Sequence, residues 1–204
     1  MQSYININGQ TIALTEELVK QITEAYNEHR GQQLSKFNSG DTVKIGKHEM
    51  VVLEQRDGET ALILKNLWVE ESEFGDENNR YDGSIVDLHC AEFAQALSEV
   101  VGWDNIVPHE VDLTSDDGLK DYGTVERKAS LITADMYRKY VDILDAVNPK
   151  AYWWLATPHS TERHGNDAWA KCVAPSGRIG IDRCSNDYGV RPFCILKSTI
   201  FVSG

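Results

Sequence analysis

The sequence predicts an α+β protein built from small antiparallel sheets and two main helices, preceded by a further helix at the N-terminus. Three observations carry this. Short apolar runs alternate with Gly- and Asp-containing turns after residue 40. Two later stretches show capping residues followed by apolar residues at helical spacing. The last third returns to strand-like runs rich in Trp, Val and Ile. Hydrophobic residues make up 41% of the 204 and charged residues 25%, the balance of a folded soluble chain.

The elements follow in order. Thr15 caps a helix with Glu16 and Glu17 near its positive end, and Leu18, Ile22, Ala25 and Tyr26 form its apolar stripe up to Gly31. The stripe is narrow, so it docks on the body or pairs with a second copy, which makes a homo-oligomer a partner to consider. Gln32 to Gly40 reads as a linker, giving a division into residues 1–38 and 39–204. Thr42 to Ile45, Met50 to Glu54 and Thr60 to Lys65 are strands of a meander, the last pair joined by Asp57-Gly58. Glu70 to Gly83 reads as an acidic surface loop. Ser84 caps a helix to Val101, with Asp87 in the capping-box place and Ile85, Leu88, Phe93, Leu97 and Val100 as the buried face. Asp104 to Gly123 reads as loop. Thr133 caps the next helix, whose stripe is Met136, Tyr137, Tyr140, Val141 and Leu144, and Asn148-Pro149 ends it. Strands are then expected at Tyr152–Ala156, Ala168–Val173, Arg178–Ile181 and Val190–Leu196.

Charge is unevenly distributed. Residues 54–126 hold 19 acidic and 4 basic residues, a net of −15, whereas residues 127–204 hold 7 acidic and 11 basic, a net of +4. Such a field disfavours direct nucleic-acid binding, since phosphates would be repelled. It permits an acidic face that imitates nucleic acid. No run approaches the ~18 apolar residues of a membrane span. The opening residues lack the basic and apolar regions of a signal peptide. The expected location is therefore the cytoplasm or a phage particle.

Motifs for chemistry are sparse. Cys90, Cys172, Cys184 and Cys194 contain no C-x-x-C pair, and Cys184 falls in a polar loop where it could be exposed. The histidines form no H-x-x-x-H or H-E-x-x-H pair, and no P-loop, G-x-S-x-G or dinucleotide fingerprint occurs. The run Asp112-Leu113-Thr114-Ser115-Asp116-Asp117-Gly118 invites a calcium reading but lacks the EF-hand order and closing Glu. We expect no enzyme, no metal and no cofactor.

The segment Tyr152 to Ile195 is the most informative. Trp153 and Trp154 point to opposite faces of one strand, one into the core and the other under a loop. Gly177 allows a hairpin turn, Gly189 and Pro192 fix the backbone around Val190, and Arg191 reaches back to carbonyls or a carboxylate. The order W-W-L-A-T-P … P-S-G-R-I-G … G-V-R-P-F resembles an uncharacterised domain family of gut bacteria and their prophages. The G-D-T-V-K-I-G hairpin, the L-K-N stretch and D-L-T-S-D-D-G-L-K-D-Y-G extend the resemblance over about Gly40 to Val202. That family is similar to the C-type lectin-like fold, in the group holding formylglycine-generating enzymes and the variable proteins of diversity-generating retroelements.

The resemblance implies that G-V-R-P is a terminal core strand and that the loops before it face a ligand. Every residue of the second loop, and every residue of the first except Glu162, belongs to the set that adenine mutagenesis reaches from Asn codons. The implied ligand-binding residues are His159, Arg163, His164, Asn166 and Asp167 in the first loop, with Asp182, Arg183, Ser185, Asn186, Asp187 and Tyr188 in the second. Tyr188 and Arg183 suit anchoring roles, and Asn, Ser and Asp suit adaptable hydrogen bonds. The leading expectation is a non-enzymatic display protein that binds a protein or glycan. The alternative is an acidic phage-encoded inhibitor of a nucleic-acid-binding host defence protein. A paired-cysteine copper enzyme would have to use Cys184 and Cys194.

Overall fold

The computed structural model describes residues 3–7, 10–21, 31–75 and 78–203. Ile5, Ile7, Ile12 and Leu14 recur at every second position of two short runs, and an Asn-Gly pair lies between the two runs. These runs form β1 (Ser3–Ile7) and β2 (Gln10–Leu14), paired antiparallel with Tyr4 opposite Ala13. The sequence reading had given them no structure. Residues 16–21 are helical (α1), and the Thr15 hydroxyl accepts the Leu18 N–H at 3.2 Å, as a cap should. Ile22, Ala25 and Tyr26, the rest of the expected stripe, lie outside the described residues.

The linker reading of Gln32 to Gly40 is corrected. β3 (Gln32–Gln33) pairs with the last strand of the chain, and Leu34 is completely buried. Gly31 has a left-handed φ of 75°, and a Cβ there would clash with the Val202 carbonyl, so only glycine lets the two segments approach.

β4 (Thr42–Ile45), β5 (His48–Arg56) and β6 (Glu59–Leu64) form the expected meander. Both residues of the Asp57-Gly58 turn have positive φ, which matches the right-handed twist of the flanking strands. The stretch read as an acidic surface loop begins as β7 (Val69–Ser72), and within it Phe74, Asn79 and Tyr81 are fully buried. α2 (Ile85–Val101) starts where expected, with the Ser84 hydroxyl accepting the Asp87 N–H, and ends at Gly102. Its buried face is Val86, Cys90, Phe93, Ala94 and Leu97, which keeps Phe93 and Leu97 of the expected stripe but not Leu88, 59% exposed, or Val100, 51% exposed.

The region read as loop from Asp104 to Gly123 contains β8 (Ile106–Val107) and β9 (His109–Asp112), which pairs with β10 (Thr124–Arg127). β11 (Ala129–Ser130) follows. The helix expected after Thr133 is two short ones, α3 (Ala134–Lys139) and α4 (Val141–Ala146), broken at Tyr140. The rest of the chain is β12 (Trp153–Pro158), β13 (Trp169–Val173), β14 (Ile179–Arg183), β15 (Tyr188–Val190), β16 (Phe193–Lys197) and β17 (Phe201–Val202).

Two sheets organise the body. One has the order β11-β16-β6-β5-β4, with β8 also on β16; the other has the order β14-β13-β12-β15-β7. β12 and β15 run parallel, and all other pairs are antiparallel. The fold is therefore α+β. The chain changes sheets at Val190-Arg191-Pro192-Phe193, so the single closing strand expected from Val190 to Leu196 is two strands in two sheets. Proline suits that junction because it has no N–H to leave unpaired.

The second sheet separates two cores. Trp154 enters one with Phe74, Tyr81, Val86 and Cys90, and Trp153 enters the other with Leu53, Tyr137 and Leu144. Both indoles are fully buried, so neither lies merely under a loop. Burying such a ring contributes at most about 5 kcal/mol. Among the described residues, no helix is long and apolar enough to cross a membrane.

Candidate functional site

The two loops singled out in the sequence become neighbours through strand pairing. β13 and β14 place Trp169 opposite Arg183 and Ala170 opposite Asp182, and the Cys184 N–H donates to the Ala168 carbonyl at 2.9 Å. The first loop, residues 159–167, therefore ends where the second, residues 184–187, begins. The first loop, Asp182 and Arg183 share one end of the sheet, whereas Tyr188 lies on β15 beside Gly189, which pairs with Trp153 at the start of β12.

The first loop is clamped from below. Asn79 is fully buried; its side-chain amide donates to the carbonyls of Ser160 (2.9 Å) and Trp169 (2.7 Å) and accepts from the Tyr122 hydroxyl (3.0 Å). Its N–H donates to the Asp167 carbonyl. The loop 112–123 straps the same segment from the side. Asp117 accepts from the Ser160 hydroxyl (2.7 Å) and lies 2.9 Å from His164 Nδ1. Asp121 accepts from Thr161 (2.7 Å) and pairs with Arg163. Hydrogen bonds from Ser115, Ser160 and His164, in that order, hold the Asp117 carboxyl well below the usual range.

These contacts explain the acidic run read as a calcium candidate. Asp112 turns its carboxylate onto the Thr114 N–H and hydroxyl, and Asp116 accepts from Lys171 (3.0 Å) and Arg138 (3.3 Å). Among the described residues, no set of three His, Cys, Asp or Glu side chains gathers to hold a metal.

The second loop is held by Asp182. Its carboxylate accepts from Asn186 Nδ2 (2.6 Å), from the Arg183 N–H (2.8 Å) and from the Tyr188 hydroxyl. Tyr188 stacks on Tyr152 with centroids 4.7 Å apart and leans on Trp154 at the same distance. Burial, then Asp182, push the Tyr188 phenol above its ordinary range. Asp182, Asn186 and Tyr188 are thus engaged in fixing the loop. Asn166 and Asp167 are half-buried, and so is His159, whose N–H donates to the Trp169 carbonyl. The outward groups are Arg163, His164, Arg183, Ser185 and Asp187. The Arg183 guanidinium sits 5.4 Å from the Trp169 ring centre.

Cys184, whose polar loop left room for exposure, is 4% exposed, and burial pushes its thiol up to about 12. Cys194 is fully buried and its thiol is likewise raised to about 12. Neither thiol is placed as a nucleophile, which needs accessible thiolate. Arg191 behaves as expected of a structural residue. Its guanidinium donates to the carbonyls of Leu64 (2.8 Å), Lys65 (3.2 Å) and Val147 (3.1 Å) and lies over Trp153. A Cβ on Gly177 would clash with the Asp145 carboxylate, and one on Gly189 with the Leu67 side chain.

No protein-family model, curated protein or solved structure matches this chain. Sequence reasoning missed Asn79, Tyr122 and Tyr152. The signal for Asn79 was present: Phe74 and Tyr81 are large apolar residues in a polar stretch, which marks a segment pinned to the core.

Proposed function

We propose that the chain is a non-enzymatic binding protein that presents the paired loops 159–167 and 184–187 to a protein or glycan. The observation that carries this is the division of labour within the loops. Asn79 and Asp182 hold main-chain groups of the loops, Asp117 and Asp121 hold the Ser160 and Thr161 hydroxyls and pair with the exposed His164 and Arg163, and Arg183, Ser185 and Asp187 are exposed. Loops ordered before binding lose little entropy on binding, which favours recognition. The C-type lectin-like fold and an association with phages or retroelements are part of the same proposal. The buried G-V-R-P segment and the exposed residues of the loops before it support that fold reading.

The acidic-inhibitor reading rests on a different observation. Glu70 and Glu71 are exposed on β7, an outer strand of the second sheet. A single capture experiment separates the two. Baits are the wild-type chain, a loop variant (Arg163→Ala, Ser185→Ala, Asp187→Ala) and a charge reversal (Glu70→Lys, Glu71→Lys), each at low and high salt. We expect a partner lost only with the loop variant. A salt-sensitive basic partner lost only with the charge reversal would instead favour the inhibitor.

A further inference from the structure

β14 is the outer strand of the second sheet on the side of the candidate site. Its hydrogen-bond parity can be read from the ends of its ladder with β13. The Ala174 N–H donates to the Arg178 carbonyl and the Cys184 N–H to the Ala168 carbonyl, so the even-numbered residues face β13. Ile179, Ile181 and Arg183 therefore aim their backbone groups at the open edge. Arg183 is satisfied locally, its N–H by Asp182 and its carbonyl by the Asn186 N–H. Among the described residues, the N–H and C=O groups of Ile179 and Ile181 have no partner. They lie two residues apart, the spacing at which an antiparallel neighbour exchanges pairs of hydrogen bonds.

This edge lacks the usual protections. β14 contains neither Pro nor Lys, and its register with β13 runs without a bulge from Arg183 to Ile179. Ile181 is 41% exposed. Its cross-strand neighbour Lys171 is buried, with its ammonium turned onto Asp116. The opposite edge of the same sheet is guarded: β7 carries exposed Glu70 and Glu71 and pairs irregularly with β15. Exposed Arg178 and Arg183 flank the open segment.

We propose that the free edge of β14 accepts an extended peptide of a partner protein as an added antiparallel strand, in the pattern acidic-x-apolar-x-apolar. The acidic residue lies opposite Arg183, and the two apolar residues lie opposite Ile181 and Ile179. Main-chain bonds supply the affinity, and alternate side chains supply the selectivity. The inference deepens the binding reading above and rests on it for the partner being a protein. A second copy of the chain fits less well. Self-pairing of Ile179 with Ile181 sets Arg183 opposite Gly177 of the other copy, leaving the guanidinium without an anion.

The test uses the full chain and the peptide acetyl-Glu-Thr-Val-Thr-Val-amide, followed by calorimetry and by amide exchange at Ile179 and Ile181. Binding should slow exchange at those two amides. Methylating the backbone nitrogens of both valines removes two donors and should weaken binding about tenfold or more. Replacing Glu by Lys should also weaken it. Ile181→Pro removes an N–H that faces outward, so it should abolish binding while keeping the ladder to β13. The methylated peptide leaves the protein untouched, so its result does not depend on how that variant folds.

Absence of binding, or equal binding of the methylated peptide, would overturn the proposal. So would a dimer of the chain alone that Ile181→Lys dissociates. If the peptide fails while the captured partner is still lost with the loop variant, the edge assignment falls and the loop reading stands. If the peptide binds as expected but the loop variant loses nothing, the edge stands without the loops.

Discussion

Arg191 carries a positive charge into a fully buried site where, among the described residues, it meets carbonyls and no carboxylate. Three backbone carbonyls and the face of Trp153 hold it there. Burial lowers its guanidinium to about 10, which still leaves it charged at neutral pH. Removing it would strand those carbonyls in the interior, where an unmade hydrogen bond is costly. Arg191→Met should therefore lower stability by about 3–5 kcal/mol. Arg191→Lys should not restore it, because an ammonium lacks the guanidinium's fork. Urea unfolding measures both, and a loss under about 1 kcal/mol for Arg191→Met would contradict the assignment.

His109 gives a pH-dependent counterpart. Its Nε2 lies 2.9 Å from the Ser130 hydroxyl, and its ring meets Phe193 edge-on. Burial lowers it from 6.5 to about 4, against a smaller opposing contact with the Val107 backbone. Between those values the unfolded chain binds the proton and the folded chain does not, so unfolding is favoured as pH falls. Stability should be complete above 6.5 and decline toward about 4. His109→Gln should flatten that decline. Parallel slopes for variant and wild type across this window would refute the reading.

At the scale of elements, caps and turns decide more than apolar stripes. Ser84→Ala should cost about 1 kcal/mol through its lost cap. Gly177→Ala should cost more, because φ is 85° there and the added methyl meets Asp145. A melting series that reverses this order would show that the turn relaxes.

Local signals were the legible ones. Asp57-Gly58, Ser84, Gly102 and Thr133 each mark a boundary by their own chemistry, and each boundary falls where the residue predicts. The buried face of α2 was legible only in part. Phe93 and Leu97 are packed as expected, but Cys90 and Ala94 are small and exposed Leu88 and Val100 are large, so hydropathy draws the stripe too far round the helix. The long loops were misread for a related reason. Asp117, Asp121 and Asn79 look like solvated residues, yet their partners lie about 40 to 90 positions away and exist only in the folded chain. The placement of the candidate loops was legible because both flank recognisable strands. Which residues face outward was not, because Asp182 draws Tyr188 and Asn186 inward.

For the whole molecule, the −15 of residues 54–126 divides between tethered and free carboxylates. Asp87 and Asp82 grip Arg127, Glu54 meets Lys139 and Tyr140, Asp116 meets Lys171 and Arg138, and Asp117 and Asp121 hold the first candidate loop. Among the described residues, Glu70 and Glu71 meet no such partner. Reversing both should change stability by less than about 0.5 kcal/mol, so any binding lost with them would reflect the surface and not the fold. Chemical denaturation of that variant checks this directly.

The pairing of β3 with β17 has a mechanical consequence. Gln32 lies opposite Val202 and Gln33 opposite Phe201, so the chain enters and leaves the body at the same end of one short ladder. Tension applied between Gly31 and Ser203 would load those rungs one after another, as a zipper is opened. The bonds between Ser203 and Lys44 lie at the pulled end itself and share that load from the start. Until this clasp yields, the sheet that carries the candidate loops bears no load, and a ligand held there would feel nothing of a pull on the ends.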